Sequence, residues 1–276
     1  MRARVLHRAI AAAVAAVVLI TTLVAVAAAR TSRRWRDLGA VPGAAMGFKP
    51  QGLTVAGRSL FFTQHHFDKA ATLHRFDRDT LAVTGVAAMP PEATHPGGLA
   101  WDGATLWAVD YNSNRLYALD AERTFAAGSA VVRESYPTGL SRTSALAYLE
   151  VEGSRFLAIS DFGPFARTYV IRLEHVAQLA TRSLADVATL AYANGGFSQG
   201  LASDGHHLYE ALNCIGRDEI RVLDLATAIR LRDPELVQVV ARIAAPADDV
   251  EERCGRATRG PSGSTRPSFG NELRAF

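Results

Sequence analysis

Amides, imidazoles and carboxylates stand at two matching kinds of place in this chain, just before and just after short apolar runs. Before the runs come Lys49 and Gln51, His95 and Gly97, Thr143 and Ser144, Phe197 and Gln199, then Glu251. After them come Gln64 with His65 and His66, Asp110 with Asn112, Asp161, and Glu210 with Asn213. Side chains of these types, gathered on one surface, hold polar ligands or move protons. The histidines raise metal binding, with His95 as a further ligand. Adjacent histidines on a strand point to opposite faces, however, and no spacing fixes a third ligand. The reading is therefore no metal and no cofactor, with His65 and His66 as the residues a metal would use. Asp110-Tyr-Asn112-Ser-Asn also has the composition of a hairpin turn. Trp101, Trp107 and Tyr209 read as packing residues.

The apolar runs repeat. "KPQGLTVAGRSLFF", "HPGGLAWDGATLWA" and "FSQGLASDGHHLYE" each place a leucine (Leu53, Leu99, Leu201) four residues before a glycine (Gly57, Gly103, Gly205) and seven before another leucine (Leu60, Leu106, Leu208). A fourth copy, "RTSALAYLEVEGSRFLA", keeps Leu146, inserts three residues before Gly153 and resumes at Phe156. Each copy runs on to a second shared feature that ends in an acid: Leu73 to Asp77, Leu116 to Asp120, Val170 to Glu174 and Ile220 to Asp224. Gly52, Gly98, Ala145 and Gly200 mark successive copies about 50 residues apart, the length of one propeller blade.

The repeat predicts an all-β, five-bladed β-propeller over residues 37–252. In each unit "GLAWD" or its equivalent makes the inner strand, and the glycine takes the positive-φ position of a tight hairpin. "TLWAV" alternates as the second strand and "RLYALD" is the third, its acid accepting backbone N–H groups in the next turn. "VVRESYP" and "VQVVARIAAP" read as outer strands. In this pattern the residues before inner strands and after second strands share one face, around the mouth of the central channel. A fifth unit is expected near residue 252, where the pattern fails midway. Residues 253–276 read as an irregular basic tail or a degraded fifth blade. Codons can be chosen for residues 252–271 that restore the blade pattern in another frame. A frameshift is thus one expectation, tested by sequencing the gene through codon 252.

The ends of the chain bound the possibilities further. Ala9 to Ala29 carries no charge between arginine-rich flanks and is long enough to span a bilayer, which takes about 20 residues. Residues 1–36 read as a signal-anchor, placing the body outside the cytoplasm. The alternative is a signal peptide cut near Ala29, giving a secreted or periplasmic protein. The overall charge of +3 rests on seven arginines in residues 1–36 and five in residues 253–276. The body between is acidic, which argues against a nucleic-acid surface. Cys214 and Cys254 either pair with each other or remain thiols.

The unit "FSQGLASDGHHLYEALNCIGRDEIRVLDLAT" resembles the propeller-type glutaminyl-peptide cyclotransferases of plants and bacteria. Their first blade runs Phe-Thr-Gln-Gly-Leu, then Leu-Tyr-Glu-Ser-Thr-Gly-Leu-Tyr-Gly, then Asp-Leu-x-Thr-Gly. Phe197, Gln199, Gly200, Leu201, Leu208, Tyr209, Glu210, Gly216, Asp224, Leu225 and Thr227 match, over about thirty residues. "ALNCI" departs from the pattern, and the matching blade comes fourth, an order that a closed ring tolerates.

The resemblance implies a five-bladed propeller that cyclises N-terminal glutamine with release of ammonia, or a degenerate form of one. It implies Glu251, in "DVEER", as the catalytic acid and base. Phe197, Gln199, Asn213, Gln51, His95, Asn112 and Asp110 then bind a peptide or small polar ligand at the channel mouth. The alternative is a membrane-tethered, non-catalytic binding propeller. A metal-dependent lactonase on six blades would need a longer chain.

Overall fold

The computed structural model describes residues 36–40, 48–66, 69–212, 219–244 and 272–275. The chain divides into two compact units, Gly39–Leu273 and a smaller one of Met1–Leu38 with Arg274–Phe276. Strands β1 (Arg36–Ala40) and β18 (Glu272–Ala275) pair in a two-stranded sheet, so one strand lies within the stretch read as an irregular tail. Residues 9–29 and both cysteines lie outside the described residues. Among the described residues no helix is long and apolar enough to cross a membrane.

The larger unit carries four antiparallel, four-stranded blades, each in simple sequence order. The first consists of β2 (Phe48–Ala56), β3 (Ser59–His66), β4 (Lys69–Asp77) and β5 (Val83–Ala88). The second is β6 (Pro96–Trp101), β7 (Leu106–Asp110), β8 (Arg115–Leu119) and β9 (Val132–Pro137). The third is β10 (Thr143–Val151), β11 (Ser154–Asp161), β12 (Arg167–Arg172) and β13 (Leu190–Ala193). The fourth is β14 (Ser198–Ser203), β15 (Leu208–Leu212), β16 (Glu219–Asp224) and β17 (Gln238–Ala244). The fold is thus an all-β propeller with four blades among the described residues. The inner strands β2, β6, β10 and β14 are successive neighbours.

The hairpins follow from local chemistry. Gly103 has φ of +97°, the left-handed conformation that closes the turn between β6 and β7. One oxygen of Asp102 accepts the N–H groups of Ala104 and Thr105, and the other accepts the Trp107 indole N–H at 2.7 Å. Asp204 repeats the device with His206, His207 and the Tyr209 hydroxyl. Trp107 and Tyr209 therefore latch hairpins. Third-strand acids act as expected in three blades: Asp77, Asp120 and Asp224 accept N–H groups of Thr80, Arg123 and Ala226. Glu174 instead lies in the short 3-10 helix Leu173–Ala180, beside Arg172.

In the second, third and fourth blades the inner-strand leucine faces the preceding blade. Leu99 and Leu106 pack on Phe61 and Leu73 of the first blade, Leu146 on Val109 and Leu116 of the second, and Leu201 and Leu208 on Ala158 and Val170 of the third. The small residue preceding that leucine faces the next blade. A Cβ on Gly98 would lie 2.5 Å from the backbone N of Leu146, and one on Gly52 would lie 2.9 Å from Gly98. Only glycine admits so close an approach of inner strands.

Candidate functional site

The starts of the inner strands and the ends of the second strands meet around one open cavity of about 240 Å³. Gln51, Gly97, Ser144 and Gln199, one from each blade, occupy equivalent positions in its lining. Lys49, His65, His95, Tyr111 and Phe162 complete it. The structure thus gathers seven of the expected residues, Lys49, Gln51, His65, His95, Gly97, Ser144 and Gln199. Glu251 and Asn213 lie outside the described residues, and nothing is described of the His66 side chain.

One wall is an arc of rings. His65 and His95 stack nearly parallel, with centroids 4.2 Å apart and planes 3° apart. His95 continues to Tyr111 at 4.9 Å, Tyr111 to Phe162 at 5.9 Å, and Phe162 to Phe197 at 5.3 Å. Tyr111 and Phe162 escaped the sequence reading. Each directly follows the acid that ends its second strand, as His65 follows Gln64, and that shared register was the available signal.

A backbone bond orients one ring and burial sets the charge of the other. His65 Nδ1 donates to the Thr94 carbonyl at 2.6 Å, which places a proton on Nδ1 and, in the neutral ring, leaves Nε2 an acceptor. Burial, aided by the nearby His65 and Lys49, lowers the His95 pKa to about 4, so its imidazole is neutral at pH 7. Parallel stacking puts the lone pairs of the two rings in parallel planes, where they do not converge on one ion. Among the described residues no cluster of three His, Cys, Asp or Glu could hold a metal.

Asp110 lies behind the wall. It is fully buried, and its carboxylate accepts N–H groups of His95, Asn112 and Ser113, which fixes the loop that carries Tyr111. Asn112 donates from Nδ2 to the Thr94 hydroxyl at 2.9 Å and does not line the cavity. Phe197 has φ of +54°, strained for a residue with a bulky side chain. Its N–H bonds the Gly163 carbonyl, and the preceding Gly196 N–H bonds Asn194 Oδ1. The Phe197 ring packs edge-on against Phe162 and does not itself line the cavity.

Glu210 is not at the mouth, where its place after an apolar run suggested it. It pairs with Leu201 across the hairpin and faces the third blade, fully buried. Burial raises its pKa to about 8, against the opposing effects of the Thr168 hydroxyl and Arg221. Among the described residues that line the cavity there is no carboxylate.

The fold aligns with that of a glutaminyl cyclase from Myxococcus xanthus, with a TM-score of 0.51 and 16% identity over 77% of this chain and 75% of that one. Weaker alignments join it to a chain of a nidogen–laminin complex (TM-score 0.42, 10% identity, 72% of this chain and 81% of that one) and to the Pan2 WD40 domain of Neurospora crassa (0.43, 13%, 78% and 57%). No protein-family model and no curated protein sequence matches the chain. At 16% identity the likeness is one of fold.

Proposed function

We propose that this chain is an extracytoplasmic, membrane-tethered propeller that takes the N-terminus of a peptide at its channel mouth and cyclises an N-terminal glutamine. The observation that carries the reading is the pair of amides, Gln51 and Gln199, lining the same cavity as a wall of rings. Such amides pair with the donor and acceptor of a substrate carboxamide. The substrate α-amine attacks its own γ-carboxamide carbon, a C–N bond forms, the bond to the amide nitrogen breaks and ammonia leaves. Curling the side chain into a near-attack geometry supplies much of the rate. Glu251 takes the proton from the attacking amine and delivers it to the departing nitrogen. Asn213 stabilises the developing oxyanion, and neutral His95 accepts from the substrate amine without repelling it.

This reading needs Glu251 beside the cavity, and so needs residues after Ala244 to add a fifth inner strand. Gly200 supports that closure. It is equivalent to Gly52 and Gly98, yet among the described residues a Cβ on it would meet only Ala211 of its own blade, at 3.5 Å. A glycine there leaves room for a further inner strand, as Gly52 and Gly98 do for theirs.

Ammonia release from glutamine-initiated peptides tests the proposal. Glu251→Gln is expected to lower kcat at least about 100-fold without changing the melting midpoint. Gln199→Ala is expected to raise KM. A second reading, a non-catalytic binding propeller, is favoured by the absence of a carboxylate among the described lining residues. Peptide binding without ammonia release from a well-folded protein would establish that reading and reject the first.

A further inference from the structure

Lys49 brings a positive charge to the cavity lining, and the register of the first blade fixes where it stands. β2 pairs with β3 so that Lys49 lies directly opposite His65. Cross-strand partners share a face of the sheet, so Lys49 belongs to the face that carries the stacked imidazoles. Its charge reaches them. Burial is the main cause that keeps His95 neutral, and His65 and Lys49 act in the same direction, against Asp110. A second cation stands over the wall, where Arg142 holds its guanidinium 6.0 Å from the centre of the Tyr111 ring.

The carboxylates beside the wall are engaged by backbone. Asp110 accepts the N–H groups of His95, Asn112 and Ser113, and Asp161 accepts those of Arg142 and Phe162. Neither is among the lining residues. A cationic ligand would therefore meet like charge in the cavity, whereas an anion would meet Lys49 together with the amide donors of Gln51 and Gln199. Lys49 has a further contact, which an ammonium group with three donors can keep while it takes a ligand. The cavity of about 240 Å³ equals about eight waters at ~30 Å³ each, which suits a ligand of about that many heavy atoms.

We infer that this cavity is a binding site for a small carboxylate, with Lys49 as its counter-ion and the Gln51 and Gln199 amides as hydrogen-bond donors. A charge-assisted bond to the carboxylate is the interaction that a neutral ligand of the same shape cannot make. The inference goes beyond the cyclisation reading, since it needs neither Glu251 nor a fifth blade.

Isothermal titration of the full chain with N-acetylglycine, its neutral analogue N-acetylglycinamide and inorganic phosphate tests it on the wild type, Lys49→Met and Lys49→Arg. The wild type is expected to bind N-acetylglycine at least about tenfold tighter than the amide, with phosphate weaker than the acid. Added salt is expected to weaken the acid and leave the amide unchanged. Lys49→Met is expected to remove the ratio of acid to amide and Lys49→Arg to keep most of it, which separates the charge from a role in folding. Equal binding of acid and amide, or no binding of either, would overturn the carboxylate site. So would an undiminished ratio in Lys49→Met. Phosphate bound as tightly as N-acetylglycine would also reject it, in favour of an unselective anion site. Ammonia release from glutamine peptides tests the cyclisation reading separately.

Discussion

The seam between the second and third blades and the seam between the third and fourth are built from the same pattern with opposite chemistry. At the former, Val109 and Leu116 meet Leu146 and Ile159 in an apolar cluster, and Gly98 lets the two inner strands touch. At the latter, the places of Val109 and Leu116 are taken by Ser160 and Thr168, and the place of Ile159 by Glu210. The equivalent of Gly98 is Ala145, fully buried, and the Ser144 hydroxyl bridges to the Ser198 carbonyl at 2.7 Å. From Glu210 a chain of bonds runs through Thr168 and Ser160 to Asn194, which holds Gly196. The polar seam therefore ends in the loop that sets Phe197 and Gln199. An apolar seam packs blades together without such placement, whereas satisfied polar networks specify geometry. Ser198 and Glu210 each keep a buried oxygen without a partner among the described residues, so this seam carries a cost in stability that the other does not.

The comparison breaks most sharply at Gly98. Gly98→Val drives a side chain into the backbone of Ala145 and Leu146, which cannot yield as a flexible side chain would. No cooperative melt by circular dichroism is the expected result, and a wild-type midpoint would mean that the apolar seam is looser than described. Glu210 gives the next largest effect, read against pH. Its folded pKa of about 8 lies above the ordinary glutamate value of 4.5, so the folded chain holds the proton more tightly than the unfolded chain. The stabilisation is complete below about pH 4.5 and is lost as pH rises through about 8, with a slope of at most about 1.4 kcal/mol per pH unit. Thr168 and Tyr192 of the third blade and Arg221 of the fourth face this group, with Arg221 also bonded to Glu219 at 2.8 Å. Glu210→Gln keeps an acceptor for Thr168 and removes the titration. Melting midpoints at pH 5 to 8 are expected to fall for the wild type more steeply than for the variant. Parallel curves would mean that Glu210 does not bind its proton in the folded chain.

The blades were legible because their signals are local. The leucine–glycine–leucine spacing sets an inner strand, a positive-φ turn and a second strand within about a dozen residues, and Asp102 and Asp204 cap turns of their own making. The lining positions Gln51, His95 and Gln199 followed from that register. What the seams contain was not legible in the same way, because Ser160, Thr168 and Glu210 come from three strands of two blades and only folding opposes them. Glu210 reads as a mouth residue from its place after an apolar run. Pairing with Leu201 shows it two residues short of the strand end, turned into the seam. Phe197 carried no sign of its left-handed backbone, which the hydrogen bonds of the neighbouring loop impose.

Gly200 extends the comparison to the far side of the fourth blade. That side presents Tyr209, Ile220 and Val222, all buried, while β14 itself is buried only at Ser198 and Leu201 where β6 is buried along nearly its whole length. At the opposite end of the row, the first blade turns Leu60, Phe62 and Phe76 away from the second. Two apolar faces suit a blade between them, and Gly200 is placed where such a blade would bring its inner strand. With that strand seated, Gly200→Val overpacks a close backbone approach and is expected to destabilise the chain by about 1–3 kcal/mol in urea melts. The loss is smaller than at Gly98, whose neighbours are fixed on both sides, because a terminal blade in the row has more freedom to shift. An unchanged midpoint would leave the fourth blade without a fifth beside it. It would also leave the proposed cyclisation mechanism without a strand to bring Glu251 to the mouth.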